Sequence, residues 1–167
     1  MNKTICIAGK SELSTYAANF IIDNFKNLNL VCLPVESDDG NDNWQPSLKK
    51  FTIKNNLKIV SLKDCFKINN LIFISLQYDK IINPDLFLKS SNFYNIHFSL
   101  LPEYRGMYTC SLPLLHGKKY SGVSLHHIDN GIDTGDIIDQ KKINIEKINN
   151  ARELYFLCLK ESKIIFQ

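Results

Sequence analysis

"KTICIAGKSELSTYAANFIIDNF" (Lys3–Phe25) is the stretch that decides the fold class. Its opening run, "KTICIAG", is short, β-branched and closed by Gly9, the pattern of a buried strand. From Ser11 the period changes. Leu13, Tyr16, Ala17, Phe20 and Ile21 recur at helical spacing, with Ser11 as the expected N-cap. A buried strand that turns at once into an amphipathic helix is the opening unit of an α/β protein.

The rest of the chain repeats the alternation. "LNLVCLPV" (Leu28–Val35), "LKIVSL", "NLIFISL" (Asn70–Leu76) and "YNIHFSLL" read as strands. "WQPSLKKFTIKNN" reads as a helix starting near Pro46, "PDLFLKS" as a short helix, and "SLPLLHG" as a helix ending at Gly117. "SGVSLHHI" and "DIIDQKKINI" resemble a hairpin or an antiparallel extension. "NNARELYFLCLKESKIIFQ" is an amphipathic helix that runs to Gln167 with no stop signal. The expectation is an α/β, Rossmann-like fold with a mostly parallel sheet and flanking helices, one domain over residues 1–167.

Composition narrows the function classes. A chain of 167 residues is long enough for one ordinary domain and too short for two. Hydrophobic content of 44%, charged content of 22% and a formal charge of +3 without a dense Lys/Arg cluster give no argument for nucleic acid. Five cysteines, none in a C-x-x-C pair, argue against a disulfide framework or a zinc site. No signal peptide and no apolar run of about 18–20 residues is visible, so a cytoplasmic protein is expected.

Two stretches carry chemistry. In "FYNIHFSLLPEYRG" (Phe93–Gly106), Asn95 and His97 are two apart, on one side of a strand, and Leu-Leu-Pro is expected to end that strand. Both can then reach one crevice at the carboxyl edge of the sheet. In "HHIDNGIDTGDII" (His126–Ile138), two glycine turns bracket Asp133, and their exposed main chain could grip a planar heterocycle. Taken singly, each has a plain alternative, a structural Asn–His pair and an ordinary turn. His126 and His127 are neighbours on a strand and point to opposite faces, which argues against a shared metal site. His116 reads as a helix C-terminal residue.

Together, "NIHFSLLP" and "GIDTGD" resemble the formyltransferases that use 10-formyltetrahydrofolate. Those act on glycinamide ribonucleotide, methionyl-tRNA or sugar nucleotides. His97 and Asp133 are 36 residues apart, which fits that family. The resemblance implies Asn95, His97 and Asp133 as catalytic residues. Asn95 would hold the oxyanion formed when an amine attacks the formyl carbon, His97 would move the proton, and Asp133 would orient His97. It implies 10-formyltetrahydrofolate as co-substrate and no metal. "SLQYDKIINP" matches the segment lining the folate pocket, so Gln77, Tyr78, Lys80, Ile81 and Ile82, with Asn130, Gly131 and Ile132, are the expected folate contacts. Lys10 and Ser11 in the first turn, with Tyr104, Arg105 and Met107, are the expected contacts to the amine substrate.

Among the branches, "YRGMYTCSLPLL", "SGVSLHHID" and "DDGNDNWQPSLKKF" resemble enzymes that formylate a dTDP-linked amino sugar in O-antigen or glycan synthesis. The first expectation is dTDP-4-amino-4,6-dideoxyglucose and the second the 3-amino isomer, with Trp44 and Tyr104 as sugar or stacking contacts. The glycinamide and tRNA branches stay open, as does a truncated, weakly active folate- or nucleotide-binding relative. A dinucleotide oxidoreductase is more distant, because no glycine fingerprint follows the first strand. The resemblance also leads one to expect a chain cut short at its C-terminus, with a homodimer possible but its usual C-terminal segment missing. Neither a nucleic acid nor a membrane is expected as a partner.

Overall fold

The computed structural model describes residues 3–167. In chain order the elements are β1 (Thr4–Gly9), α1 (Ser11–Asn24), β2 (Asn29–Pro34), α2 (Leu48–Lys54), β3 (Lys58–Ile59), α3 (Leu62–Cys65), β4 (Leu71–Leu76), β5 (Asn92–His97), α4 (Leu112–Leu115), β6 (Tyr120–His127), β7 (Ile137–Asn144) and α5 (Ala151–Phe166). The seven strands follow the order β3-β2-β1-β4-β5-β6-β7. The sheet is mostly parallel with flanking helices, as the alternation in the sequence implies. The chain divides into two compact units, one ending at Tyr94 and one spanning Asn95–Gln167.

In the first unit β1 is buried along its whole length and pairs in parallel with β2 and β4. That burial on both faces is why its sequence is a continuous apolar run. Phe73, Phe87 and Phe93 form an aromatic core, with centroids 5.8 Å apart for the first pair and 4.7 Å for the second. Such edge-to-face pairs add about 0.5–1.5 kcal/mol each beyond the area they bury. The turn after β1 requires glycine. Gly9 has φ +153°, and a Cβ there would sit 1.9 Å from the Leu76 carbonyl oxygen.

Several boundaries differ from expectation. Ser11 is not the N-cap of α1. Lys10 holds that position, and Ser11 is the first helical residue with φ +75°. The Glu12 N–H is satisfied instead from a distance, by Gln45 Oε1 at 2.9 Å. Helix α2 starts after Pro46, because Ser47 Oγ takes the Lys50 N–H at 2.9 Å and so acts as the cap. "LKIVSL" gives only a two-residue strand, after which a Ser61–Asp64 capping box opens α3. "PDLFLKS" is one 3-10 turn over Pro84–Leu86.

In the second unit β6 and β7 form the expected antiparallel pair. Its register slips between Leu125 and His126, so that Leu125 faces Asp139 and His126 faces Ile137. Helix α5 is capped by Asn150, whose side chain takes the Glu153 N–H at 2.9 Å. It buries Leu154, Cys158, Leu159 and Ile165 along one stripe and lies against β6 and β7. All five cysteines are free thiols. Among the described residues, no helix is long and apolar enough to cross a membrane.

Candidate active site

Strand β5 ends at His97, and proline is not what ends it. The chain bends at Phe98–Ser99, four residues before Pro102. A hydroxyl network pins the bend to β6 and β7. Ser124 Oγ donates to the Ser99 carbonyl at 2.6 Å and accepts from the Leu101 N–H at 3.1 Å. Gln140 Nε2 donates to Ser124 Oγ at 2.8 Å and to the Leu101 carbonyl at 2.9 Å. The loop held in this way carries Tyr104 and Gly106 back beside the end of β5.

There Asn95, His97 and Asp133 converge. Asn95 Nδ2 donates to Asp133 Oδ1 at 3.2 Å, and His97 Nδ1 lies 3.3 Å from Asp133 Oδ2. The Gly106 N–H donates to the same Oδ2 at 2.9 Å. His97 Nε2 lies 2.8 Å from the Tyr104 carbonyl. A carbonyl only accepts, so Nε2 carries the hydrogen, and in the neutral ring Nδ1 is the bare nitrogen. A proton arriving at Nδ1 makes an ion pair with Asp133.

The electrostatics follow from burial and partners. Burial lowers the His97 pKa from its ordinary 6.5, and this outweighs the opposing pull of Asp133 and of the Tyr104 carbonyl. Burial alone would raise the Asp133 pKa. The charge His97 can carry and the Gly106 N–H outweigh it and hold the carboxyl below its usual range. The cluster therefore combines a carboxylate, an imidazole that stays neutral at neutral pH, and an amide donor. That set can take a proton from an attacking amine and donate a hydrogen bond to a developing oxyanion.

The loop that carries Asp133 works differently from the expectation. Neither Gly131 nor Gly135 has a left-handed φ, whereas Asp133 does, at +51°. Asp is one of the few residues that enter this region readily. Gly135 is needed for space, since a Cβ there would lie 1.9 Å from the His127 carbonyl oxygen. Asp129 Oδ1 takes both the Gly131 N–H at 3.0 Å and the Thr134 hydroxyl at 2.6 Å. The Gly131 N–H is thus engaged within the loop. Ile132 is exposed, and so is Asn130.

The other expected contacts fall in both units. In the first unit Ser11 Oγ donates to Gln77 Oε1 at 2.7 Å, which joins the turns after β1 and β4. Both residues have left-handed φ, +75° and +60°. Lys10 is exposed and Lys80 is ion-paired with Glu36. Burial and the nearby Asp79 push the Tyr78 hydroxyl up to about 12. Ile81 is exposed while Ile82 is buried, so the two do not share one apolar surface. Trp44 is exposed. In the second unit the Tyr104 hydroxyl is 3.0 Å from Nδ1 of His116, the C-cap of α4, and its main chain serves His97. Arg105 and Met107 are exposed.

One residue near the reactive groups escaped the sequence reading. His126 is buried and its neighbour His127 exposed, as their alternation implies. Yet His126 Nε2 lies 3.1 Å from Asn95 Nδ2 and 3.4 Å from Asp133 Oδ1. Its ring stands edge-on to His97, with centroids 6.4 Å apart. The signal lay in its place beside the Asp133 loop, which strand alternation alone does not weigh. Among the described residues, no cluster of three or more His, Cys, Asp or Glu side chains is placed to hold a metal.

The Formyl transferase family matches residues 61–166, well over half of the chain. The chain belongs to the formyl transferase family. It is 44% identical, with a TM-score of 0.93, to WlaRD, a sugar 3N-formyl transferase solved with dTDP and 5-N-formyl-THF. It is 38% identical, with a TM-score of 0.92, to an N-formyltransferase from Helicobacter canadensis in complex with folinic acid and dTDP-3-aminofucose. Both likenesses cover 99% of this family member and 61% of the other chain. The methionyl-tRNA formyltransferase of Malacoplasma penetrans (strain HF-2) is 30% identical over 92% of this chain, which spans 52% of that protein. For that of Caldicellulosiruptor saccharolyticus the identity is 34%, over 61% of this chain and 36% of the relative.

Proposed function

We propose that this chain, residues 1–167, is the catalytic domain of an enzyme that moves a formyl group from 10-formyltetrahydrofolate to the amino group of a dTDP-linked amino-dideoxy sugar. The observation that carries the reading is the convergence of Asn95, His97 and Asp133 at the end of β5. The likeness to WlaRD over 99% of the chain supports the sugar-nucleotide branch. WlaRD is a sugar 3N-formyl transferase and the Helicobacter canadensis N-formyltransferase is in complex with dTDP-3-aminofucose, which favours a 3-amino sugar over the 4-amino-4,6-dideoxyglucose expected from sequence.

In this reading Asn95 and His97 serve one carbonyl carbon from one side of β5. Asn95 donates an amide hydrogen to the oxyanion as the amine attacks. His97 accepts the amine proton at Nδ1, Asp133 stabilises the resulting imidazolium, and the proton passes on to the leaving nitrogen. The set fits this chemistry, because acyl transfer to an amine requires a proton acceptor that is still neutral at working pH. The loop around Ile132 is proposed to contact the folate.

The test is turnover with 10-formyltetrahydrofolate and a panel of dTDP-3-amino and dTDP-4-amino sugars, read by release of tetrahydrofolate. Formylation of a 3-amino sugar is the expected result. Formylation of methionyl-tRNA with none of the sugars would overturn the assignment of branch.

A further inference from the structure

Among the groups the proposed chemistry leaves unused, one buried side chain touches two of its three members. We propose that His126 is a positioning residue that fixes the Asn95 amide and hands its hydrogen over to the oxyanion. The proposal rests on the reading of Asn95, His97 and Asp133 as the reacting set.

The argument starts from the His126 tautomer. Nδ1 lies 2.7 Å from the His127 carbonyl, which can only accept, so Nδ1 carries the hydrogen. In the neutral ring Nε2 is then bare. It lies 3.4 Å from Asp133 Oδ1, a second acceptor. Asn95 Nδ2 lies between them, 3.1 Å from Nε2 and 3.2 Å from Oδ1. An amide NH2 has two hydrogens, and here each has one acceptor. Turning the amide over would set its oxygen against a carboxylate and a bare ring nitrogen, three acceptors together. The His126 tautomer and the Asp133 charge therefore leave Asn95 one orientation.

The strand geometry supports the assignment. His126 follows the register slip in the β6–β7 pair, and bulges of this kind re-aim a side chain next to a site. A hydrogen bond to a neutral ring is weaker than one to a carboxylate. When the oxyanion forms, the hydrogen on His126 is the one that moves to it, while the bond to Asp133 keeps the amide in place. His126 thus keeps the amide in the orientation that presents hydrogens and not oxygen until the oxyanion forms, which lowers the reorganisation that oxyanion stabilisation requires.

The test compares His126→Phe, which removes the acceptor, with His126→Gln, whose carbonyl oxygen can stand near Nε2 and cannot titrate. In His126→Phe, kcat is expected to fall about 10- to 100-fold with KM nearly unchanged, because a buried donor loses its partner. His126→Gln is expected to recover most of that loss. Far-UV circular dichroism and thermal melting check that each variant folds. A second readout does not need turnover: hydrogen exchange of the Asn95 side-chain amide by nitrogen-15 NMR, assigned with Asn95→Ala. One of its two protons is expected to exchange at least about 10-fold faster in His126→Phe and to be protected again in His126→Gln. A folded His126→Phe protein with wild-type kcat, or with unchanged amide exchange, would overturn the proposal. A wild-type protein silent with every amine would sink the reading of function instead, and the exchange measurement would still decide whether His126 holds Asn95.

Discussion

The turn after β1 and the cluster around Asp133 each join polar residues around a left-handed stretch of backbone, and they use those residues in opposite ways. In the turn after β1, neutral groups satisfy one another: Ser11 bonds Gln77, and Gln45 takes the Glu12 N–H. Around Asp133, groups that can change charge are brought together and partly buried, with His97 Nδ1 facing a carboxylate. A neutral network gives shape. A network of titratable groups gives shape and also somewhere for a proton to go. Perturbed titration in a cleft is where reactive chemistry is sought first.

Substitutions can break this contrast. The largest expected effect is at the cluster, where His97→Ala or Asp133→Ala should each lower kcat by about 10²–10⁴ in the sugar formylation assay. A His97→Ala protein with wild-type turnover would remove the contrast altogether. A smaller effect sharpens it. An NMR titration of the His97 ring should give a midpoint below 6.5, since burial is the main cause of its shift. Asp133→Asn removes a charge that favours the protonated ring, so the midpoint should move lower still, and an upward move would contradict the electrostatics. The smallest effect belongs to the turn after β1. Lys10→Ala and Ser11→Ala should raise KM for the amine substrate about 2- to 5-fold with little change in kcat, in keeping with exposed or neutral contacts.

How much of this was legible in the sequence depended on the range of the cause. The strands were readable because burial on both faces of β1 forces a continuous apolar run, and strand alternation put Asn95 and His97 on one side. Their meeting with Asp133 was legible only through resemblance, since nothing in spacing alone brings residue 133 to residue 97. Local capping was misread where a remote side chain took over. Lys10 takes the N-cap position of α1 and Gln45 accepts the Glu12 N–H, so Ser11 lost the role its position implied. The α3 capping box was present as Ser61-x-x-Asp64 but straddled the end of an apolar run read as a strand. The two glycines marked the loop, but not that the left-handed residue is Asp133, and the close approach of backbone that Gly135 permits leaves no trace in the sequence. His126 was hidden for a similar reason, since a register slip is a property of two strands together.

The two contacts that define the protonation of His97 and the placement of Asp133 from the 104–106 loop are a main-chain carbonyl and a main-chain N–H. Neither belongs to a side chain. An alanine scan through Tyr104 and Arg105 would leave the carbonyl at 104 and the N–H at 106 in place and score the loop as dispensable. The information that fixes the tautomer is held in the path of the chain and not in its letters. A backbone ester at Gly106 or a change of loop length is what would expose it. The proton chemistry of the cluster thus rests on the backbone of this loop and not on its side chains.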